Sequence, residues 1–130
     1  MPFEPIPEHL DQLSNRVLSC AINVHKELGP GLIESVYETC LYYELRKDGI
    51  ECERQAAIPI FYDGVKLDAD LRLDIWVERS LIIEIKAVEN VIPVHHAQLM
   101  TYLKLTKNRL GLLLNFNVRL LKDGIKRIVL

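Results

Sequence analysis

Leu81-Ile82-Ile83-Glu84-Ile85-Lys86-Ala87-Val88 is an apolar run of isoleucine, leucine and valine broken by two charges. The β-branched content and the polar turn Glu78-Arg79-Ser80 before it predict a strand. Strand side chains alternate between faces, so Glu84 and Lys86 point one way while Ile83, Ile85 and Ala87 point the other. A strand apolar on both faces belongs at the centre of a sheet. There a charge is costly unless it is paired or bound to a metal. Just upstream, Leu71-Arg72-Leu73-Asp74-Ile75-Trp76-Val77 places another lone acid among apolar neighbours. If the two strands pair as a hairpin, Asp74 and Glu84 reach one spot from adjacent strands.

The flanking segments complete a mixed α/β pattern. Leu10, Leu13, Val17, Ala21, Val24 and Leu28 recur every three or four residues, which is one apolar face of a helix. Pro5 and Pro7 lead into it, and Gly29-Pro30-Gly31 stops it, because glycine takes a left-handed cap and proline cannot continue the helix. A second helix is expected over about 32–48, with Val36, Cys40, Leu41 and Leu45 inward and Gly49 as terminator. Strands are expected at Glu51–Phe61 and Lys66–Val77 around the Asp63-Gly64 turn, whose residues accept the positive φ of a tight hairpin. A third helix follows Pro93 over about 94–107. The last two strands, Leu110–Phe116 and Ile125–Leu130, flank Lys122-Asp123-Gly124. The order α-α-β-β-β-α-β-β predicts a central sheet flanked by helices.

Composition fits one domain over residues 1–130, with residues 1–8 as a flexible or extended lead-in. The 130 residues are 49% hydrophobic and 26% charged with a net charge of −2, which excludes a disordered chain. No apolar run approaches the roughly 20 residues of a membrane span, so no membrane association is expected. The proline-rich, acidic start has no signal-peptide character. Cys20, Cys40 and Cys52 are too scattered for a CxxC metal site and read as small buried hydrophobes, which fits a reducing cytoplasm. His25, His95 and His96 are expected at the surface, or near the start of the third helix, rather than on a metal. Charge is unevenly placed. Residues 1–100 carry 9 Lys/Arg against 17 Asp/Glu, whereas Lys104, Lys107, Arg109, Arg119, Lys122, Lys126 and Arg127 face Asp123 alone in the last thirty. That basic segment is either a solvated face or a phosphate-facing one.

Two carboxylates and a strand carbonyl make a hard, oxygen-rich site with positions left for water and phosphate, the preference of Mg²⁺ or Mn²⁺. Asp74 followed by Glu84-Ile85-Lys86 resembles the D…(D/E)xK core of the PD-(D/E)XK nuclease superfamily. Gly31-Leu32-Ile33-Glu34-Ser35-Val36-Tyr37 resembles the GxxExxY signature of a family of small bacterial proteins within it. Gln98-Leu99-Met100-Thr101-Tyr102 is similar to the QxxxY motif on the helix after the core strands. Leu73 stands where the superfamily's namesake proline would be. The resemblance spans about residues 10–130.

It implies a restriction-endonuclease-like fold and hydrolysis of phosphodiester bonds dependent on Mg²⁺ or Mn²⁺, in DNA rather than RNA. Asp74 and Glu84 would hold the metal, with the main-chain carbonyl of Ile85 as a third ligand. Lys86 would orient or activate the attacking water and counter charge on the phosphate. Glu34 would be a further acidic ligand or hold a metal-bound water. Gln98 would position Lys86 or that water, and Tyr102, one turn on, would support it. Tyr37 reads as a packing residue. Without an appended DNA-reading module, weakly specific or structure-directed cleavage is expected, and one site per chain invites a homodimer. The alternative is a nucleic-acid-binding or interaction module on the same fold whose catalysis needs a protein partner, a reading favoured by the acidic first hundred residues. The bland alternative for Glu84 and Lys86 is an ion pair on a solvated strand face, against which the flanking isoleucines and leucine argue. That for Glu34 is a carboxylate favoured by a helix N-terminus.

Overall fold

A glycine-proline-glycine break and an aspartate-glycine turn partition the chain where the sequence places them. The computed structural model describes residues 4–130. Its elements are α1 (Glu8–Leu28), α2 (Glu34–Lys47), β1 (Cys52–Tyr62), β2 (Val65–Val77), β3 (Leu81–Lys86), α3 (Pro93–Thr106), β4 (Leu110–Asn115) and β5 (Ile125–Val129), with a 3₁₀ turn at Leu121–Gly124. Of the expected lead-in, residues 1–3 lie outside the described residues. Glu4 and Pro5 are tied down, their carbonyls accepting hydrogen bonds from Arg109 at 2.6 and 3.1 Å.

The sheet order is β1-β2-β3-β4-β5. Only β3 and β4 are parallel, with α3 as their crossover; the other neighbours are antiparallel. Asp63 and Gly64, at φ 53° and 76°, form the tight β1–β2 turn that the Asp-Gly pair predicts. β3 and β4 are buried almost throughout, as central strands covered on both faces must be. One face, built from Ile75, Ile83, Ile85, Leu112 and Leu114, packs on α1 and α2. The other, with Leu73, Ile82 and Leu113, packs on Leu99, Tyr102 and Leu103 of α3.

Two expectations about α2 are corrected. The helix starts at Glu34 rather than near residue 32, and its buried face is Tyr37, Glu38, Leu41 and Leu45, while Val36 and Cys40 are half-buried. Tyr37 sets that rotation. Its ring stacks on Phe116 at 4.5 Å between centroids. Its hydroxyl donates to the Gly29 carbonyl at 2.5 Å and accepts from the Leu32 amide at 3.2 Å. The loop around Gly31, at φ 103°, is thereby folded back onto α2 and cannot join the helix. Tyr37→Phe keeps the ring but strands both main-chain partners. It is expected to cost about 1–3 kcal/mol, measured by urea unfolding. A loss below about 0.5 kcal/mol would show that the hydroxyl bridge carries little of the stability.

Candidate active site

The β2–β3 ladder ends at Ile75↔Ile83, and one step further side chains replace the main-chain bonds. Glu84 Oε2 accepts the amide of Asp74 at 3.0 Å, and Asp74 Oδ2 accepts the amide of Ile85 at 2.8 Å. The expectation that hairpin pairing unites these two acids therefore holds, in the form of a reciprocal clasp. The N–H and C=O of one strand residue lie on the same edge, so the Ile85 carbonyl faces the same gap.

The clasp is electrostatically loaded. Glu84 is 4% exposed, and its carboxyl is pushed up to about 8, first by burial and then by the negative charge of Asp74. Asp74 is raised as well, again chiefly by burial, against the Ile85 amide bond that favours its ionised form. Lys86 favours ionisation of both. It is half-buried, and among the described residues no carboxylate lies within ion-pair distance of its ammonium.

β3 ends at Lys86 rather than at Val88. The amide of Phe116 donates to the Lys86 carbonyl at 2.8 Å, and the next residues are claimed by side chains. Ala87 donates its amide to Glu34 Oε2 at 3.0 Å. The Asn115 side chain bridges both main-chain groups of Val88, at 3.1 and 3.0 Å. Glu34 thus opens α2 and braces the strand exit beside the clasp. Its charge adds to those that raise the Asp74 carboxyl.

From the other face α3 presents Tyr102, buried against β3 and β4. Burial raises its hydroxyl, and the Glu84 and Asp74 charges raise it further, with the Gln98 side chain opposing them. Gln98 is exposed, one helical turn earlier. The structure therefore gathers Asp74, Glu84, Lys86, Glu34 and Tyr102 around one gap, with Gln98 at its rim.

Glu38 and Asn115 escaped the sequence reading. Glu38 is buried one turn after Glu34 on α2, accepting from Gln55 Nε2 at 2.7 Å and Arg54 at 3.2 Å, and it raises both Asp74 and Glu84. The i,i+4 spacing from Glu34 was its available signal. The β1–β2 register passes from Arg54↔Ile75 to Ala56↔Leu73 and leaves Gln55 and Asp74 unpaired between them, and the Gln55 φ of 48° is a strained value for this residue. Both strands flanking β2 are thus irregular at Asp74.

The expected surface position of His25 is overturned. His25 is buried, its Nε2 3.1 Å from the Phe116 carbonyl, because α1 packs its last turn onto the end of β4. His95 stays at the start of α3, where its Nδ1 accepts the Ile92 amide at 3.2 Å. Cys20 and Cys52 are buried, whereas Cys40 is half-buried.

A divalent cation fits this donor set. Among the described residues no three His, Cys, Asp or Glu side chains converge into a ready cage. The donors are two carboxylates and a strand carbonyl, hard oxygens suited to Mg²⁺ or Mn²⁺. The crowding that makes Glu84 hold a proton near neutrality is the property by which it would hold a cation in the proton's place.

A family model described as the PD-(D/E)XK nuclease superfamily matches residues 11–128. The chain belongs to that superfamily. Its mixed sheet and α-α-β-β-β-α-β-β order are consistent with the restriction-endonuclease-like fold. Neither the comparison with curated proteins nor that with solved structures gives a match. PD-(D/E)XK membership supports nuclease-like chemistry and interaction with nucleic acid. No helix of the described residues is long and apolar enough to cross a membrane.

Proposed function

We propose that this protein is a divalent-metal-dependent nuclease that hydrolyses phosphodiester bonds in DNA, and that it belongs to the GxxExxY branch of its superfamily. The observation that carries the reading is the Asp74–Glu84 clasp at a ladder break, beside an ammonium that has no carboxylate partner among the described residues. Asp74, Glu84 and the Ile85 carbonyl would hold Mg²⁺ or Mn²⁺, with Glu34 contributing through a bound water. The cation supplies Lewis acidity at the scissile phosphate. Lys86 orients the attacking water and offsets the charge that grows on the phosphate oxygens. Tyr102 and Gln98 fix the α3 side of the gap. We place the protein, as one domain, in the cytoplasm.

The carboxyl ends of β3 and β4 lie together, as the pair Lys86↔Asn115 shows, and such ends are where open α/β sheets bind ligands. The basic C-terminal segment divides about this axis. Lys104 and Lys107 stand near the opposite end, before β4 begins. Arg127 is engaged by Asp11 and Ser14, and Arg109 by main-chain carbonyls. Arg119 and Lys122 follow β4 and, with Lys26 and His25, line a cavity of about 520 Å³ beyond the carboxyl end of β4, on the α1 face of the sheet. We assign the substrate's phosphate track to this cavity. Arg119→Ala with Lys122→Ala is expected to weaken DNA binding and to reduce the salt slope by about one to two. Unchanged slope in a fluorescence titration would remove these residues from the track.

The decisive experiment is cleavage of labelled single-stranded, double-stranded and branched DNA, with RNA alongside, under Mg²⁺, Mn²⁺ or EDTA. Calorimetry with Mn²⁺ accompanies it. Metal-dependent cutting is expected. Metal binding without cutting favours the partner-dependent reading, and absence of both overturns the nuclease.

A further inference from the structure

β2 is 13 residues long, yet it pairs with β3 only over Ile75–Val77. From Val65 to Asp70 every residue is exposed, so the β1–β2 hairpin projects from the body as an arm. Along the arm β2 has β1 on one side and, among the described residues, no strand on the other. Even the β1 side is interrupted, because the register jumps from Pro59↔Asp70 to Phe61↔Lys66 and leaves Leu67, Asp68 and Ala69 without partners. A free strand edge is a template for another strand. This one also carries apolar surface: Phe61, Tyr62 and Val65 are 59%, 74% and 62% exposed, and Leu67 39%.

We propose that this edge pairs antiparallel with the same edge of a second copy, with Leu67 facing Leu67 across a two-fold axis. The register follows from the charges. Face-matched two-fold pairing sets one residue opposite its own copy, and opposite charges across strands stabilise while like charges repel. Centred on Leu67, each Lys66 faces the second copy's Asp68, and each Val65 faces Ala69. Centred on Lys66 or on Asp68, a charge faces itself. Centred on Ala69, Asp68 faces Asp70 and Lys66 faces Arg72. Centred on Asp68, Lys66 also faces Asp70, but Asp68 then faces itself; the Leu67 register alone among these pairs opposite charges, twice, with no like charges facing each other. The occupant is a second copy rather than nucleic acid, because Asp63, Asp68 and Asp70 outnumber Lys66 on the arm and repel phosphate.

The arrangement also bears on geometry. About 23 Å of strand separates Leu67 from Asp74 at roughly 3.3 Å per residue. The two clasps then stand about 45 Å apart along the strand direction, several times the roughly 12 Å width of a DNA major groove. The dimer therefore does not set its two sites on one point of a duplex. The inference is independent of the chemistry of the clasp.

The test is light scattering coupled to size exclusion, across a concentration series, with far-UV circular dichroism confirming the fold of each variant. Wild type is expected to dimerise. Lys66→Asp and Asp68→Lys should each weaken self-association at least about tenfold, since two facing pairs become repulsive. An equimolar mixture of the two variants, or the double variant in one chain, should restore the dimer. A monomeric wild type overturns the proposal. A dimer indifferent to both single substitutions overturns this surface, and failure of the mixture and the double variant to recover overturns the register.

Discussion

Lys86→Ala is expected to lower metal-dependent cleavage by roughly 10²–10³-fold while leaving the fold intact. The side chain stands at the end of a strand buried from Leu81 to Ile85, so truncating it opens no cavity in the core. The amide of Phe116 still closes on the Lys86 carbonyl, and the reciprocal Asp74–Glu84 bonds do not involve the ammonium. What is lost is the cation nearest the phosphate, together with its support for ionised Asp74 and Glu84. The second effect lets protons compete better with metal near neutrality, so affinity for Mn²⁺ falls modestly there and recovers at about pH 9. If cleavage recovers at about pH 9 as affinity does, Lys86 serves only to keep the carboxylates ionised. A rate still depressed at saturating metal assigns it to the transition state. Lys86→Arg keeps the charge but changes its reach, and intermediate activity is expected.

The resemblance spans nearly the whole chain, and much of the arrangement is legible because each boundary has a local chemical cause. Gly29-Pro30-Gly31 ends α1, Asp63-Gly64 makes the hairpin, and unbroken apolar runs become the covered central strands. The acids of the clasp were legible for the same reason: a lone charge in an apolar strand needs an explanation. Features created by packing between distant segments were not. The rotation of α2 depends on Tyr37 meeting Phe116, seventy-nine positions later in the chain. His25 is buried because α1 docks on the end of β4, which no pattern within α1 discloses. Glu38 reads as one more polar helical residue until α2 lies over Gln55 and Arg54. The basic segment, continuous in sequence, is divided in space because α3 and β4 carry its halves to opposite ends of the sheet.

Glu84→Gln is expected to make the metal-free protein more stable at neutral and higher pH while abolishing cleavage. Glu84 titrates at about 8 in the fold against an ordinary value of 4.5. Between those values the folded state binds more protons than the unfolded one, so its stability declines as pH rises through the interval. The contribution is complete below about 4.5 and is lost as pH passes about 8; Asp74, raised in the same sense, steepens the decline. Gln offers an oxygen to the Asp74 amide and brings no charge, so its unfolding free energy should depend less on pH. At about pH 8 the variant should exceed wild type by on the order of 2 kcal/mol. Metal reverses the comparison. Mn²⁺ at one hundred times its dissociation constant should stabilise wild type by about 2.7 kcal/mol and the variant by far less. Urea unfolding across pH, with and without Mn²⁺, measures both effects. Wild-type stability that is flat from about pH 5 to 9 would show that the clasp is not charged in the way its burial demands, and a variant stabilised equally by Mn²⁺ would move the cation away from Glu84. Joint occurrence of the pH decline and its rescue by metal would mean that the protein accepts an unstable pair of carboxylates because a bound cation is what they are shaped to hold.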